Sequence, residues 1–227
     1  MTTSPPLTIA VLGGTGPQGR GLAHRLAASG HRVVLGSRDA DRAAVAATEL
    51  AARRPGTSIA GATNAAAAAA AEVVILAVPH DGHDELVASL REPLRGKVVV
   101  SCVNPLGFDK AGAYGLDLAG GSAAETAAAL LPESHVVGAF HHLSAVTLDT
   151  DEPLDEDVIV CGDDRGAKDV VIELARAVTG RPGVDGGRLR LARQLEPLTA
   201  VLISVNRRYR THAGIRITGV PPEAATA

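Results

Sequence analysis

Aromatic side chains are nearly missing from this 227-residue chain: it has two Phe (Phe108, Phe140), two Tyr (Tyr114, Tyr209) and no Trp. A surface that stacks successive bases on rings needs more of them, which excludes a single-strand nucleic-acid platform. Excess positive charge is missing too. The net charge of −3 offers no general attraction to phosphate backbones or anionic membranes. Of the 22 basic residues only Lys97, Lys110 and Lys168 are lysines, a bias that reads, beside the heavy use of Ala, as codon composition. Cysteine is scarce. Cys102 and Cys161 make neither a disulfide framework nor a metal site, and each follows a run of branched aliphatics (Val98 to Val100, Val158 to Val160), as a small buried strand residue would. No run of about 18 apolar residues is present to cross a bilayer. Met1 to Leu7 lacks the basic-then-apolar order of a secretory signal. These absences predict a cytoplasmic, soluble chain with no nucleic-acid or membrane partner.

What is present suffices for a full core: 46% of residues are apolar and 21% charged. The length fits one dinucleotide-sized α/β unit with a small appended domain. Thr8 to Gly13 is an apolar run closed by glycines, as a buried parallel strand requires. Helical spacing follows over Pro17 to Ala28, with Gly30 as its C-cap. His31 to Gly36 reads as strand two, and Asp39 caps a helix to about Arg54, where Pro55-Gly56 breaks it. Ser58 to Ala60 reads as strand three. Thr63-Asn64 caps the alanine run Ala65 to Ala71, a tightly packed helix because Ala loses no side-chain entropy.

Val73 to Val78 is strand four. Asp81 is expected to cap a helix through about Leu90, and Lys97 to Val103 is strand five. Ser122 to Glu125 forms a capping box opening a helix to Leu131, and His135 to Phe140 is strand six. Strand and helix alternate on short connections, which predicts an α/β fold with a Rossmann-type, doubly wound parallel sheet. The acidic, turn-rich stretch Asp149 to Asp157 marks the expected boundary between a unit over 1–150 and a small C-terminal α+β domain over 151–227. In the latter, Val158 to Cys161 is a strand and Ala167 to Thr179 a helix. A long helix from Leu189 to about His212 carries one apolar stripe, Leu191, Leu195, Leu198, Leu202 and Val205, with Pro197 bending or dividing it. Residues 221–227 are expected to be a frayed tail.

Gly14-Thr15-Gly16-Pro17-Gln18-Gly19 fits G-x-G-x-x-G and sits where that pattern has meaning, after a strand and at the start of a helix. Gly14 makes the tight turn, Gly16 lets the backbone approach a pyrophosphate, and Gly19 allows close helix–strand packing. Pro17 suits the first helical turn, where no N–H is needed. An NAD site places Asp or Glu at the end of strand two to accept from the ribose 2′-OH. Twenty-two residues beyond Gly14 stands Gly36, followed by Ser37 and Arg38. Those side chains offer donors and a cation to a phosphate, and Arg42 lies on the same helical face as Arg38. NADP is therefore expected over NAD, with Asp39 read as a helix cap.

Ligands of doubly wound sheets lie outside the carboxyl ends of the strands. Those ends read Ala77-Val78-Pro79-His80-Asp81, Ser101 to Leu106 through Asn104-Pro105, and Gly138 to Ser144 through His141, His142 and Leu143. Pro79 serves equally as an apolar stop near a nicotinamide ring or as a strand terminator. His80, His141 and His142 do not complete a recognisable ligand spacing, so no metal is expected. No G-x-S-x-G elbow argues for a hydrolase.

The ordered set Gly-Gly-Thr-Gly-x-x-Gly, Gly36-Ser37-Arg38, Ala77-Val78-Pro79, Ser122-Ala123-Ala124-Glu125 and Val160-Cys161-Gly162-Asp163-Asp164 resembles the NADPH:coenzyme F-420 oxidoreductases. The resemblance continues through Arg193 to Leu198 and Ala213-Gly214-Ile215, and covers about residues 8–219. It implies a Rossmann domain for NADP(H), a small C-terminal domain covering the cleft, and a deazaflavin stacked on the nicotinamide between them. On this resemblance Thr15, Ser37, Arg38 and Arg42 match NADP contacts, Pro79 lies near the nicotinamide, and His141 and Leu143 face the deazaflavin. The chain departs from archaeal members at His80, where they carry an aromatic, and at His142, where they carry a smaller polar residue.

Hydride transfer between two cofactors asks the protein mostly for alignment, which accounts for the missing catalytic triad. His141 and Ser144 are the candidates for stabilising charge on the reduced deazaflavin. The expected co-substrates are small molecules, NADP(H) and coenzyme F-420. Reduction of another small acceptor (an imine, a ferric chelate or a flavin) and non-catalytic NADP(H) sensing stay open, as does a homodimer formed through the apolar stripe. With so few rings, the deazaflavin pocket is expected to be backbone, Pro, Val, Leu and Ala, with Phe108 and Phe140 as wall or core.

Overall fold

The computed structural model describes residues 5–220. Ile9 to Leu12 have no polar interruption, and β1 (Thr8–Leu12) takes an interior place in the sheet. Alternate side chains go to opposite faces: Ile9 and Val11 enter one core cluster, Ala10 and Leu12 the other. The same split runs through β4 (Val73–Leu76), with Val73 and Ile75 on one side and Val74 and Leu76 on the other. Helices cover both faces of such a sheet. On the first face lie α1 (Pro17–Ala28), α2 (Ala40–Arg53) and α8 (Arg165–Thr179); on the second lie α3 (Asn64–Ala70), α4 (His83–Ser89), α5 (Arg91–Leu94) and α6 (Ala123–Leu130).

The remaining strands are β2 (Arg32–Ser37), β3 (Ser58–Thr63), β5 (Val98–Ser101), β8 (His135–Gly138), β9 (Ile159–Gly162) and β10 (Val184–Gly187). Their order is β10-β9-β8-β5-β4-β1-β2-β3, with every neighbouring pair parallel except β8 and β9. From β3 to β8 this is the doubly wound order, whose switch point lies between β1 and β4. A separate hairpin, β6 (Leu106–Phe108) with β7 (Ala113–Gly115), leaves the end of β5. The two remaining α-helices among the described residues are α7 (Ala145–Leu148) and α9 (Ala192–Tyr209).

Several local expectations change. The sheet crosses the acidic stretch from Asp149 to Asp157: β9 and β10 continue it and cover the edge that β8 would otherwise leave open. That stretch is itself tied to the helices. Arg25 on α1 donates to the carbonyls of Thr147, Leu148 and Glu152 at 2.9, 3.2 and 2.7 Å, and Arg53 on α2 pairs with Asp149 at 2.6 Å. Asp81 does not cap α4, because Gly82 occupies that place at φ +78° and moves the helix start to His83. Strand six ends at Gly138, two residues short of Phe140, which sits at φ +63°.

The long final helix is a 3-10 turn (Leu189–Leu191) followed by α9, with Pro197 inside it. Its expected apolar stripe is not its buried face: Leu191 is exposed, and Leu195, Leu198, Leu202 and Val205 are half-buried. The buried face is Ala192, Glu196 and Ala200. Two alanines let α9 approach α6 closely enough for the Glu196 carboxylate to accept from the Ala123 and Ala124 amides at 2.8 and 3.0 Å. Both cysteines are buried and free, as read from their flanks. The tail at 221–227 lies outside the described residues.

Candidate active site

At the switch point a cleft of about 630 Å³ opens among the loop after β1, the ends of β2 and β3, and the segment after β4. Gly13 takes φ +75° here, so the tight turn expected of Gly14 belongs to Gly13, and a Cβ on it would collide with the Ala77 carbonyl. A Cβ on Gly19 would stand 2.6 Å from the Gly13 oxygen, which makes Gly19 the close-packing residue as read. Gly16 has room for a Cβ on the protein side, its nearest neighbour being 3.4 Å away. The helix behind the loop has Pro17 in its first turn and no side-chain cap. Its N-terminal amides and positive dipole end are thus left for an anion.

Ser37, Arg38, Asp39 and Arg42 form the next wall. Asp39 caps α2, accepting from the amides of Asp41 (2.9 Å) and Arg42 (3.2 Å), in line with the cap reading. Arg38 and Arg42 are exposed, and among the described residues neither has an ion-pair partner. Two cations a turn apart with no internal partner are suited to a phosphate dianion. Ala77, Val78 and Pro79 line the side nearest β4, and Thr15 and Gln18 complete the loop side. The cleft wall also includes Asn64, Asp81 and Leu86, which sequence reading did not assign to it. Asn64 had one usable signal: it directly follows Thr63, which pairs with Ser37 across β2 and β3.

Gly14 and Gly19 stand behind this lining in the glycine loop and α1, and His80 follows β4; Asn104, Pro105, Leu106, His141, Leu143 and Ser144 gather at the ends of β5 and β8, apart from the lining. Asn104 Nδ2 donates to the His141 carbonyl at 2.8 Å, and Thr199 Oγ1 of α9 donates to the same oxygen at 3.1 Å. The His141 ring is buried and neither nitrogen has a hydrogen-bond partner among the described residues. Burial, then the neighbouring His142, push its pKa down to about 3, against a weak opposing pull from the Val103 backbone that falls short of hydrogen-bond geometry. The imidazole is therefore neutral at physiological pH. His142 bonds the Leu195 carbonyl at 2.8 Å; that oxygen only accepts, so Nε2 carries the proton. Ser144 caps α7 by accepting from the Val146 amide at 3.3 Å. Leu143 and Pro105 are buried, Leu106 is half-buried in the hairpin, and His80 has a buried Nδ1 without a partner.

Glu196 is the buried acid that sequence reading left without a role. Burial pushes its pKa up to about 7 in spite of the two amides that donate to it. Phe140 is core, whereas Phe108 is 69% exposed on the hairpin, and the expectation of wall or core fails for it. Among the described residues no group of three or more His, Cys, Asp or Glu could hold a metal ion, and no helix is long and apolar enough to cross a membrane.

Residues 8–105 match the family described as NADP oxidoreductase, coenzyme F420-dependent. The chain is 43% identical over 226 residues to the F420-dependent NADP reductase of Methanothermobacter thermautotrophicus, covering 96% of this chain and 97% of that one. It is 41% identical over 223 residues to the enzyme of the same name from Methanocaldococcus jannaschii, covering 94% and 99%. Among solved structures, one from Arthrobacter sp. FB24 assigned as an F420-dependent NADP-reductase superposes with a TM-score of 0.78 at 29% identity, covering 93% of this chain and 99% of that one. The chain belongs to the family of F420-dependent NADP oxidoreductases.

Proposed function

We propose that this protein transfers hydride between NADP(H) and coenzyme F-420. The observation that carries the NADP side is the cleft itself, in which a glycine loop, an uncapped helix end, and Arg38 and Arg42, without ion-pair partners among the described residues, face one space. In this reading the pyrophosphate lies on Gly14, Thr15, Gly16, Gln18 and Gly19, and the 2′-phosphate on Ser37, Arg38 and Arg42. The nicotinamide reaches Ala77, Val78, Pro79 and His80. The deazaflavin occupies the ends of β5 and β8, against Asn104, Pro105, Leu106, His141 and Leu143, with residues 151–227 covering it and 1–150 holding the dinucleotide.

The two co-substrates supply the hydride donor and acceptor; the chain supplies alignment and exclusion of water. Clamping of the His141 carbonyl by Asn104 and Thr199 fixes the backbone at the end of β8. His141, neutral and with neither ring nitrogen hydrogen-bonded among the described residues, is assigned to stabilising charge at the reduced deazaflavin, together with Ser144. We place the protein in the cytoplasm as a homodimer. Exposed Phe108, Tyr114, Val201 and Tyr209 supply apolar surface that supports pairing of two copies; a single-copy mass in sedimentation would overturn it.

The test is direct. Purified protein is mixed with NADPH and coenzyme F-420, and the deazaflavin absorbance is followed. Protein-dependent bleaching is expected. Turnover only with an imine, ferric chelate or flavin, or NADPH binding with no turnover of any acceptor, would replace this reading.

A further inference from the structure

Asn64 is the first residue of α3 and lines the cleft. It is 8% exposed, and its Oδ1 is buried without a hydrogen-bond partner among the described residues. A carbonyl oxygen left this way costs about 1–3 kcal/mol unless a donor arrives, so a polar ligand is the simplest reason to retain it. The position is specific. Strands β2 and β3 run in parallel register, Gly36 opposite Ala62 and Ser37 opposite Thr63, which brings Asn64 beside the end of β2. A Cβ on Gly36 would stand 2.8 Å from Asn64 Oδ1 and 2.6 Å from Leu12 Cδ2. An acidic side chain at 36 and the Asn64 carboxamide cannot share this space.

The end of β2 is where a dinucleotide site projects the carboxylate that accepts from the adenosine ribose. Here Gly36 offers no side chain, and an acceptor arrives from the end of β3 instead. Phosphate oxygens only accept, so the donor that meets Oδ1 must be a hydroxyl or amino group of the nucleoside. With the 2′ oxygen phosphorylated and held by Ser37 and Arg38, the ribose donor left is the 3′-hydroxyl. A neutral carboxamide accepts from it without the like-charge repulsion a carboxylate would exert on the adjacent phosphate. We infer that Asn64 accepts from the adenosine 3′-hydroxyl of NADP(H), taking over from β3 the ribose contact that Gly36 withholds from β2. This rests on the NADP reading of the cleft.

The experiment measures binding of 2′,5′-ADP and its 3′-deoxy analogue by calorimetry. The wild-type protein is expected to prefer the hydroxylated probe by about five- to tenfold, the size of one hydrogen bond, and Asn64→Ala to bind both alike. Asn64→Asp keeps the acceptor, so it should keep the preference while binding both probes more weakly through repulsion of the phosphate. Equal binding of the two probes by the wild type, or an undiminished preference in Asn64→Ala, overturns the inference and leaves the NADP reading standing. Failure of the wild type to bind either probe overturns the NADP reading beneath it. Asn64→Ser, whose hydroxyl is too short to reach the same point, replaces the alanine variant should that one not fold.

Discussion

The dinucleotide cleft and the region at the ends of β5 and β8 are built in opposite ways. Around β1 and β2 the protein leaves groups unsatisfied: the α1 amides lack a side-chain cap, Arg38 and Arg42 lack ion-pair partners among the described residues, and Asn64 Oδ1 lacks a donor. At the ends of β5 and β8 the backbone is tied down from several elements. The His141 carbonyl takes two bonds, His142 reaches Leu195, and Glu196 takes the amides that open α6. On the proposed reading the first region is completed by a ligand that brings its own charges. The second is tied down beforehand, and the His141 ring, Asn104 Oδ1 and Ser101 Oγ are its buried polar groups without a partner among the described residues. Anion binding tolerates exposed, movable cations, whereas two rings exchanging hydride must be held at one spacing.

Removing the cations should have the largest effect. Arg38→Ala with Arg42→Ala is expected to weaken NADPH about a hundredfold, from two charge-assisted contacts, while NADH changes little. Measured dissociation constants for both nucleotides decide it; equal losses would mean that these arginines serve the fold and not the 2′-phosphate.

The next effect tests the tied side through pH. The folded pKa of Glu196 lies near 7, above the ordinary 4.5, so the folded state binds more protons than the unfolded chain between those values. Its contribution is therefore full below about pH 4.5 and lost as pH rises through 7, with a total of about 3 kcal/mol at 1.36 kcal/mol per unit. Urea unfolding of wild type and Glu196→Gln from pH 5 to 8 should show the glutamine variant losing less stability over that range. Parallel curves would show that the amides of Ala123 and Ala124 hold this carboxylate ionised throughout.

The same contrast explains what could be read from the chain. Arg38, Arg42 and the glycine loop lie within 30 residues of each other and follow local rules of strand ends and caps, so their meeting at one cleft is legible in the sequence. So was Asp39 as a cap, since a cap is decided within four residues. Thr199 on His141 and Glu196 on Ala123 span 58 and 73 residues, and no local pattern announces them. The α9 stripe misled because leucine spacing was read as burial, while the close approach was made by alanines around one acid. The continuation of the sheet by β9 and β10 is likewise a long-range pairing, hidden behind an acidic stretch that resembles a linker.

His141→Ala should lower turnover about tenfold, one hydrogen bond's worth of stabilisation, with the NADPH dissociation constant unchanged. Because the imidazole stays neutral down to a pKa of about 3, the pH profile between 6 and 9 should keep its shape in the variant. Unchanged turnover would remove the ring from the mechanism.

The smallest change asks whether rigidity itself matters. Thr199→Val preserves shape and deletes the hydroxyl that holds the His141 carbonyl from α9, leaving Asn104 as the one side-chain donor to that oxygen. A carbonyl keeps one good partner after this loss, so stability should fall by about 1 kcal/mol or less. Turnover should fall about two- to threefold, since the peptide can now rotate and carry the His141 ring with it. Combined with Asn104→Ala the effects should exceed the sum of the singles, because each donor alone still pins the oxygen and only the pair frees it. NADPH affinity should not move in any of the three variants. If it falls in step with turnover, the cleft and the ends of β5 and β8 are coupled through Gln18, whose Nε2 donates to the Phe140 carbonyl at 3.3 Å and joins the glycine loop to the residue before His141.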